Sequence, residues 1–181
     1  MEIKVSENLI MRSRTLADAR EIFELVDNNR EHLRKWLLWV DDTKSAERVE
    51  NSIKNSRRKD ERNDGAILAV VYEGRFIGTV GLKNIDRVND CAEVGYWLGE
   101  EWTGRGIMTS CVRSLTDYCF TELGLNSVYI SIADANQKSR AVPERLGFTL
   151  EGVLRERKKL HGVYYDEVIY GMTKKKWEYK V

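Results

Sequence analysis

From Ala92 to Leu98 apolar and polar positions alternate with period two, as in a strand, placing Val94, Tyr96 and Leu98 on one face and Glu93, Gly95 and Trp97 on the other. After Thr103-Gly104-Arg105-Gly106 the period changes. Ile107, Met108, Cys111, Val112, Leu115, Cys119 and Phe120 fall three and four apart, which predicts one apolar stripe of a helix running to about Thr121. Glycines ahead of a helix let the backbone approach an anion, whose charge is met by free N–H groups and the positive end of the helix dipole. Strand, glycine turn and helix in this order therefore suggest a phosphate cradle, although the same spacing also fits a plain turn. There is no G-x-x-x-x-G-K-[ST], which argues against a P-loop. Gly104-Arg105-Gly106 also lacks the third glycine of the dinucleotide fingerprint.

The same two periods organise the rest of the chain. Ser6 to Arg12 reads as a strand. Thr15-Leu16-Ala17-Asp18 opens a helix with its stripe at Ala19, Ile22, Phe23 and Val26, ended by Asn28-Asn29. A short apolar helix is expected over His32 to Trp39 and an amphipathic one over Ser45 to Lys59. Two hairpins follow from two-residue turns: Ala66 to Tyr72 with Arg75 to Leu82 around Glu73-Gly74, and Phe148 to Leu160 with Val163 to Met172 around His161-Gly162. Between them lie a β-branched strand, Ser127 to Ile132, and a short helix, Gln137 to Arg145, interrupted by Pro143. Strands first and alternating elements afterwards predict a mixed α/β sheet in one domain over residues 1–181.

Composition narrows the picture. A chain of 181 residues with 42% hydrophobic content can bury one sizeable core, and a formal net charge of +1 gives no overall attraction to nucleic acid or an anionic membrane. The charged run from Asn55 to Asp64 mixes both signs and reads as a solvated helix end and loop. Cys91, Cys111 and Cys119 form no CxxC pair and are expected as reduced core thiols, with no metal site. Without a targeting signal or an apolar run of membrane length, the expected location is the cytoplasm.

The segment Gly95-Tyr96-Trp97-Leu98-Gly99-Glu100-Glu101-Trp102-Thr103-Gly104-Arg105-Gly106-Ile107-Met108-Thr109, followed by the run from Asn136 to Phe148, resembles the GNAT superfamily of acyl-CoA-dependent N-acetyltransferases. Arg34-Lys35-Trp36-Leu37 and the closing run from Gly152 to Glu156 with Gly162 and Asp166 are most similar to its RimJ/RimL branch, which acetylates α-amino groups of ribosomal proteins. The resemblance spans Leu9 to about Trp177. It implies an α+β type fold whose central sheet of about seven strands is mostly antiparallel and flanked by helices. It also implies acetyl-CoA as acyl donor, with Tyr96, Trp97, Leu98, Thr103, Gly104, Arg105, Gly106, Ile107, Met108, Thr109, Asn136 and Arg140 around CoA. Glu101 stands where the family's pyrophosphate loop usually opens with Gln or Arg, and a carboxylate cannot donate to a phosphate.

The implied reaction is attack of a neutral amine on a thioester through a tetrahedral oxyanion, with a thiolate leaving. Backbone N–H groups on the edge of the 92–98 strand would meet the oxyanion. By resemblance Ser139 is the donor to the leaving thiolate, and its plainer reading is a helix N-cap. Because Pro143 has no N–H for the carbonyl of Ser139, this turn should be weakened or bent. Glu93 is the first candidate for the base; a cross-strand pair with a lysine or arginine is its alternative, and Glu156 and His161 are further candidates. The RimL-type base position falls near Lys158. One of Trp36 and Trp39 could line an acceptor cleft, since four bulky residues in a row cannot all face inward. The acceptor is read as a protein α-amine, ribosomal proteins first, with a small amine (polyamine, amino acid or antibiotic) or a silent acyl-CoA-binding module as alternatives, and a homodimer is left open.

Overall fold

The computed structural model describes residues 1–61 and 64–178. Eight strands form one open sheet in the order β1-β2-β3-β4-β5-β6-β8-β7. They are β1 (Glu2–Lys4), β2 (Leu9–Ser13), β3 (Ala66–Tyr72), β4 (Arg75–Asp86), β5 (Cys91–Leu98), β6 (Ser127–Ala133), β7 (Thr149–Leu160) and β8 (Val163–Thr173). Every neighbouring pair is antiparallel except β5 with β6, which are joined by α5 (Ile107–Thr121) as a crossover. This is the mixed, mostly antiparallel α+β fold that the sequence predicts, with one strand more than expected. Beside β1, the first strand starts three residues later than the pattern suggests.

Each face of the sheet has its own core. All seven stripe residues of α5 are buried, packing with Val80, Leu82, Val94 and Leu98 on one face. On the other, α1 (Ala19–Asn28) and α4 (Ala46–Glu61) pack Ile22, Val26, Val49 and Ile53 onto Ala69, Val71 and Phe76. The two-faced reading of β5 holds: Tyr96 packs against the first cluster and Trp97 against the second. Cys111 and Cys119 are free and buried, and burial pushes both thiols up to about 12; Cys91 is free and half-buried.

The helix expected over His32 to Trp39 is two helices, α2 (Arg30–Arg34) and α3 (Trp39–Asp42). Breaking the helix lets Leu33 and Val40 both reach the core while Trp36 and Leu37 stay half-buried and Leu38 and Trp39 keep much of their surface exposed. Strand β4 runs on to Asp86 through an irregularity after Lys83. A short closing helix, α7 (Lys174–Glu178), was not signalled; its Trp177 is buried and donates its indole N–H to Asp117 at 2.5 Å. The expected helix Gln137–Arg145 is present as α6. From Asn55 to Glu61 the charged run is the end of α4, residues 62 and 63 lie outside the described residues, and Asp64 follows in a bend. Among the described residues no helix is long and apolar enough to cross a membrane.

Candidate active site

The site starts from a split in the sheet. Strands β5 and β6 pair only from Cys91 to Glu93 against Ser127 to Tyr129, and then diverge. From Val94 to Leu98, β5 is bonded to β4 alone, so alternate backbone N–H and C=O groups on its other edge meet no strand. A parallel pair that opens like this leaves a wedge with fixed donors along one wall.

A cavity of about 380 Å³ fills the wedge, lined by Tyr96, Trp97 and Leu98 from β5, the 102–109 turn and helix start, α2 and the residues after it, and one side of α6. Gly104 and Gly106 both have φ of +77°, in the left-handed region that favours glycine, and a Cβ built on either meets nothing within 4 Å. Gly106 is also the residue at which α5 starts. An open space over two glycines at the positive end of a helix of 15 residues fits a pyrophosphate held by backbone amides.

On α6 a second set of bonds fixes Ser139. Asn136 is the N-cap, its side-chain oxygen accepting from the Ser139 N–H at 3.3 Å, so Ser139 is not the cap but sits three residues inside the helix. The Ser139 carbonyl, left free by Pro143, accepts the Tyr96 hydroxyl at 2.8 Å. The turn expected to be weakened is thus tied across the wedge to β5. Burial pushes the Tyr96 phenol well above its ordinary value, so it remains a donor throughout the physiological range.

The cavity brings together Ser139 and ten of the twelve residues expected around the cofactor. The other two point elsewhere: the Arg105 guanidinium lies 5.0 Å from the Trp102 ring centroid, and Arg140 donates to the Tyr170 hydroxyl and the Asp134 carbonyl, both at 3.0 Å. The cations of α6 that do line the wall are Lys138 and Arg145. They are seven residues apart with Ala141 and Val142 between, a helical stripe that could have been read from the sequence. His32, also in the wall, was missed, though it is one of only two histidines. Burial lowers its pKa against the opposing pull of Glu100, 3.7 Å away, and Lys138 and Lys35 add to the lowering. At pH 7 its ring is mainly neutral.

Glu93 lies outside this wall, where β5 leaves β6. Lys83, opposite it on β4, stands 3.7 Å away, the cross-strand pair that was its alternative reading. Lys83 reaches it by crossing over Gly95, where an added Cβ would come within 2.6 Å of the lysine chain. Glu156 sits exposed in a bulge of β7, its N–H donating to Asp166 at 2.9 Å. His161, at the hairpin tip, bonds the Arg34 carbonyl at 2.7 Å. Lys158 pairs with Glu167 at 3.1 Å, and Glu167 also accepts from the Ser131 hydroxyl. Trp36 and Trp97 line the wedge cavity, and Trp39 meets Trp97 at a tilt of 52° with centroids 5.7 Å apart.

Residues 8–149 match the model of the acetyltransferase (GNAT) domain. The chain belongs to the GNAT acetyltransferase family. It is 40% identical over 97% of its length to the "Putative ribosomal N-acetyltransferase YdaF" of Bacillus subtilis (strain 168), covering 96% of that protein. The structure superposes on RimL, a ribosomal alpha-N-protein acetyltransferase solved in complex with coenzyme A, with a TM-score of 0.92 at 26% identity, covering 96% of this chain and 98% of that one. It also matches the microcin self-immunity acetyltransferase MccE in complex with acetyl-CoA and AMP, with a TM-score of 0.90 at 30% identity over 94% of both chains. As a GNAT enzyme the protein is an acetyl-CoA-dependent N-acetyltransferase, and the glycine turn, the α5 start and the wedge have the open backbone donors that this cofactor needs.

Proposed function

We propose that this enzyme acetylates the α-amine of a protein or peptide, with ribosomal proteins the first acceptors to examine. The observation that carries this reading is a cavity on the face of β5 away from α5, whose wall holds Arg14 and Arg48, with Lys83 already paired to Glu93, against one carboxylate, Asp42. Such a balance repels polyamines and aminoglycosides, while likeness to YdaF and RimL over nearly the whole chain supports a protein acceptor.

Bound acetyl-CoA supplies the activated acyl group. In this reading the backbone N–H groups from Gly104 to Thr109 hold its pyrophosphate, and Lys138 and Arg145 balance the charge. The open edge of β5 donates N–H groups where negative charge develops on the acyl oxygen. Ser139, held from both its N–H and its C=O, donates its hydroxyl proton to the departing thiolate. Glu93 takes the proton of the amine through water. The demand on that base is small, because an α-amine of pKa about 7.7–8.0 is roughly a tenth neutral at pH 7, whereas a lysine amine near 10.4 is almost wholly charged.

The test is a pair of peptides at pH 7, one with a free α-amine and blocked lysine, the other α-blocked with a free lysine. The first is expected to react much faster, and raising the pH should narrow the gap. Equal rates at neutral pH, or activity confined to polyamines and aminoglycosides, would overturn the reading.

A further inference from the structure

On the opposite face of β5 from α5 lies the second cavity, about 490 Å³, walled by α3, α4 and strands β3 to β5. It shares Leu37, Tyr96 and Trp97 with the wedge cavity, so the two meet at β5. Arg14 lines it and is only 7% exposed, yet its Nε and Nη2 are buried without a hydrogen-bond partner among the described residues. Asp18, whose charge acts on Arg14, is already taken: it accepts two bonds from Arg12, at 2.7 and 2.8 Å, and the Thr15 N–H at 2.6 Å. Elsewhere in the molecule that same edge of a guanidinium is used on a carboxylate. Arg34 places Nε and Nη2 on the two oxygens of Asp41 at 3.0 and 3.1 Å.

A buried, charged fork without an acceptor is costly, and such orphan donors call for a partner. Burial lowers the pKa of Arg14, to about 10, which still leaves it charged at neutral pH. Arg48, in the same wall, makes no ion pair among the described residues, and Thr43, Asn51 and Thr79 add further polar groups.

We propose that this cavity is an anion subsite for the acceptor, in which Arg14 forks onto a carboxylate carried by the amine substrate. This rests on the α-amine reading above and specifies it: the acceptor is an acidic N-terminus. Sheet register sets where the acid belongs. Ser13, Leu68, Val80 and Tyr96 lie in one row across β2 to β5, and Arg14 follows Ser13. Three strand spacings of about 4.8 Å make roughly 14 Å, which an extended chain rising about 3.3 Å per residue covers in about four residues. The carboxylate therefore falls within the first four residues of the acceptor.

The experiment compares kcat/KM for two amidated peptides, Ser-Ala-Glu-Ala-Phe and Ser-Ala-Gln-Ala-Phe, with the parent enzyme, Arg14→Met and Arg14→Lys. The parent should favour the acid by about tenfold, mainly through KM, as one charge-assisted pair provides. Arg14→Met should bring that ratio near one with an unchanged or raised Tm, since an unpaired buried charge has been replaced by an apolar chain. Arg14→Lys, which keeps the charge and loses the fork, should fall between. A ratio near one in the parent, or a ratio that survives Arg14→Met, overturns the proposal, as does a lower Tm for Arg14→Met with the ratio intact, which would make Arg14 a structural partner of Asp18. If no peptide is acetylated, the α-amine reading fails separately, and a long ω-amino acid whose extended chain matches this span, 11-aminoundecanoic acid, against its amide puts the same question to the cavity. A preference for the carboxylate that Arg14→Met removes supports the subsite, and equal rates overturn it.

Discussion

Tyr96→Phe removes one oxygen and should loosen the serine proposed to act on the leaving group. The hydroxyl donates to the Ser139 carbonyl at 2.8 Å, and Pro143 cannot supply the helical N–H that would otherwise take its place. Leaving a half-buried acceptor unpaired costs about 1–3 kcal/mol, and at about 2–4 °C per kcal/mol for a chain of this size Tm should fall by roughly 2–12 °C. A proline replaced by alanine restores the missing N–H. The double variant Tyr96→Phe/Pro143→Ala should therefore lose less than the sum of the single changes, with a coupling of about 0.5–1.5 kcal/mol. Thermal and urea unfolding of the four proteins measure this, and kcat of the folded fraction should follow the same order because Ser139 lies on the coupled turn. Strict additivity, or Tyr96→Phe with unchanged Tm and kcat, would refute the idea that the two residues share one carbonyl.

Gly106→Val should abolish CoA binding by calorimetry in a folded protein, because residue 106 has φ of +77° and faces the space above the turn. Ser139→Ala should lower kcat on the order of 100-fold while CoA affinity changes little, and an unchanged kcat would leave Ser139 without a chemical role. Asp18, held by the Arg12 fork with its pKa lowered from 3.8 to about 2, stabilises the folded state most above its unfolded value. The contribution of about 2 kcal/mol should be lost as pH falls from about 4 to 2, and the acid unfolding curve of Asp18→Asn should lack that component.

Local periodicity carried much of this fold. The α5 stripe, the two-faced strand β5 and both two-residue hairpin turns depend on neighbours in sequence, so Ile107, Val94 and Glu73-Gly74 could be placed from pattern alone. The break between α2 and α3 was harder to see, because a run of Trp36, Leu37, Leu38 and Trp39 satisfies helix propensity locally and fails only when two sides of the core compete for it. For the candidate site, the glycine turn stood out from spacing and Ser139 was named through the family resemblance, and the free carbonyl before Pro143 was foreseen. Its partner was not, since Tyr96 lies 43 residues away in sequence. Arg14 was invisible for the same reason: an arginine just past a strand looks solvated until residues distant in sequence bury it.

The account rests on acetylation of protein α-amines, and quantitative mass spectrometry of N-termini in cells with and without the gene tests it most directly. Loss of acetylation from a small set of N-termini, ribosomal proteins among them, is the expected result. An N-terminal acetylation profile identical in the two strains, with the protein expressed and folded, would contradict it.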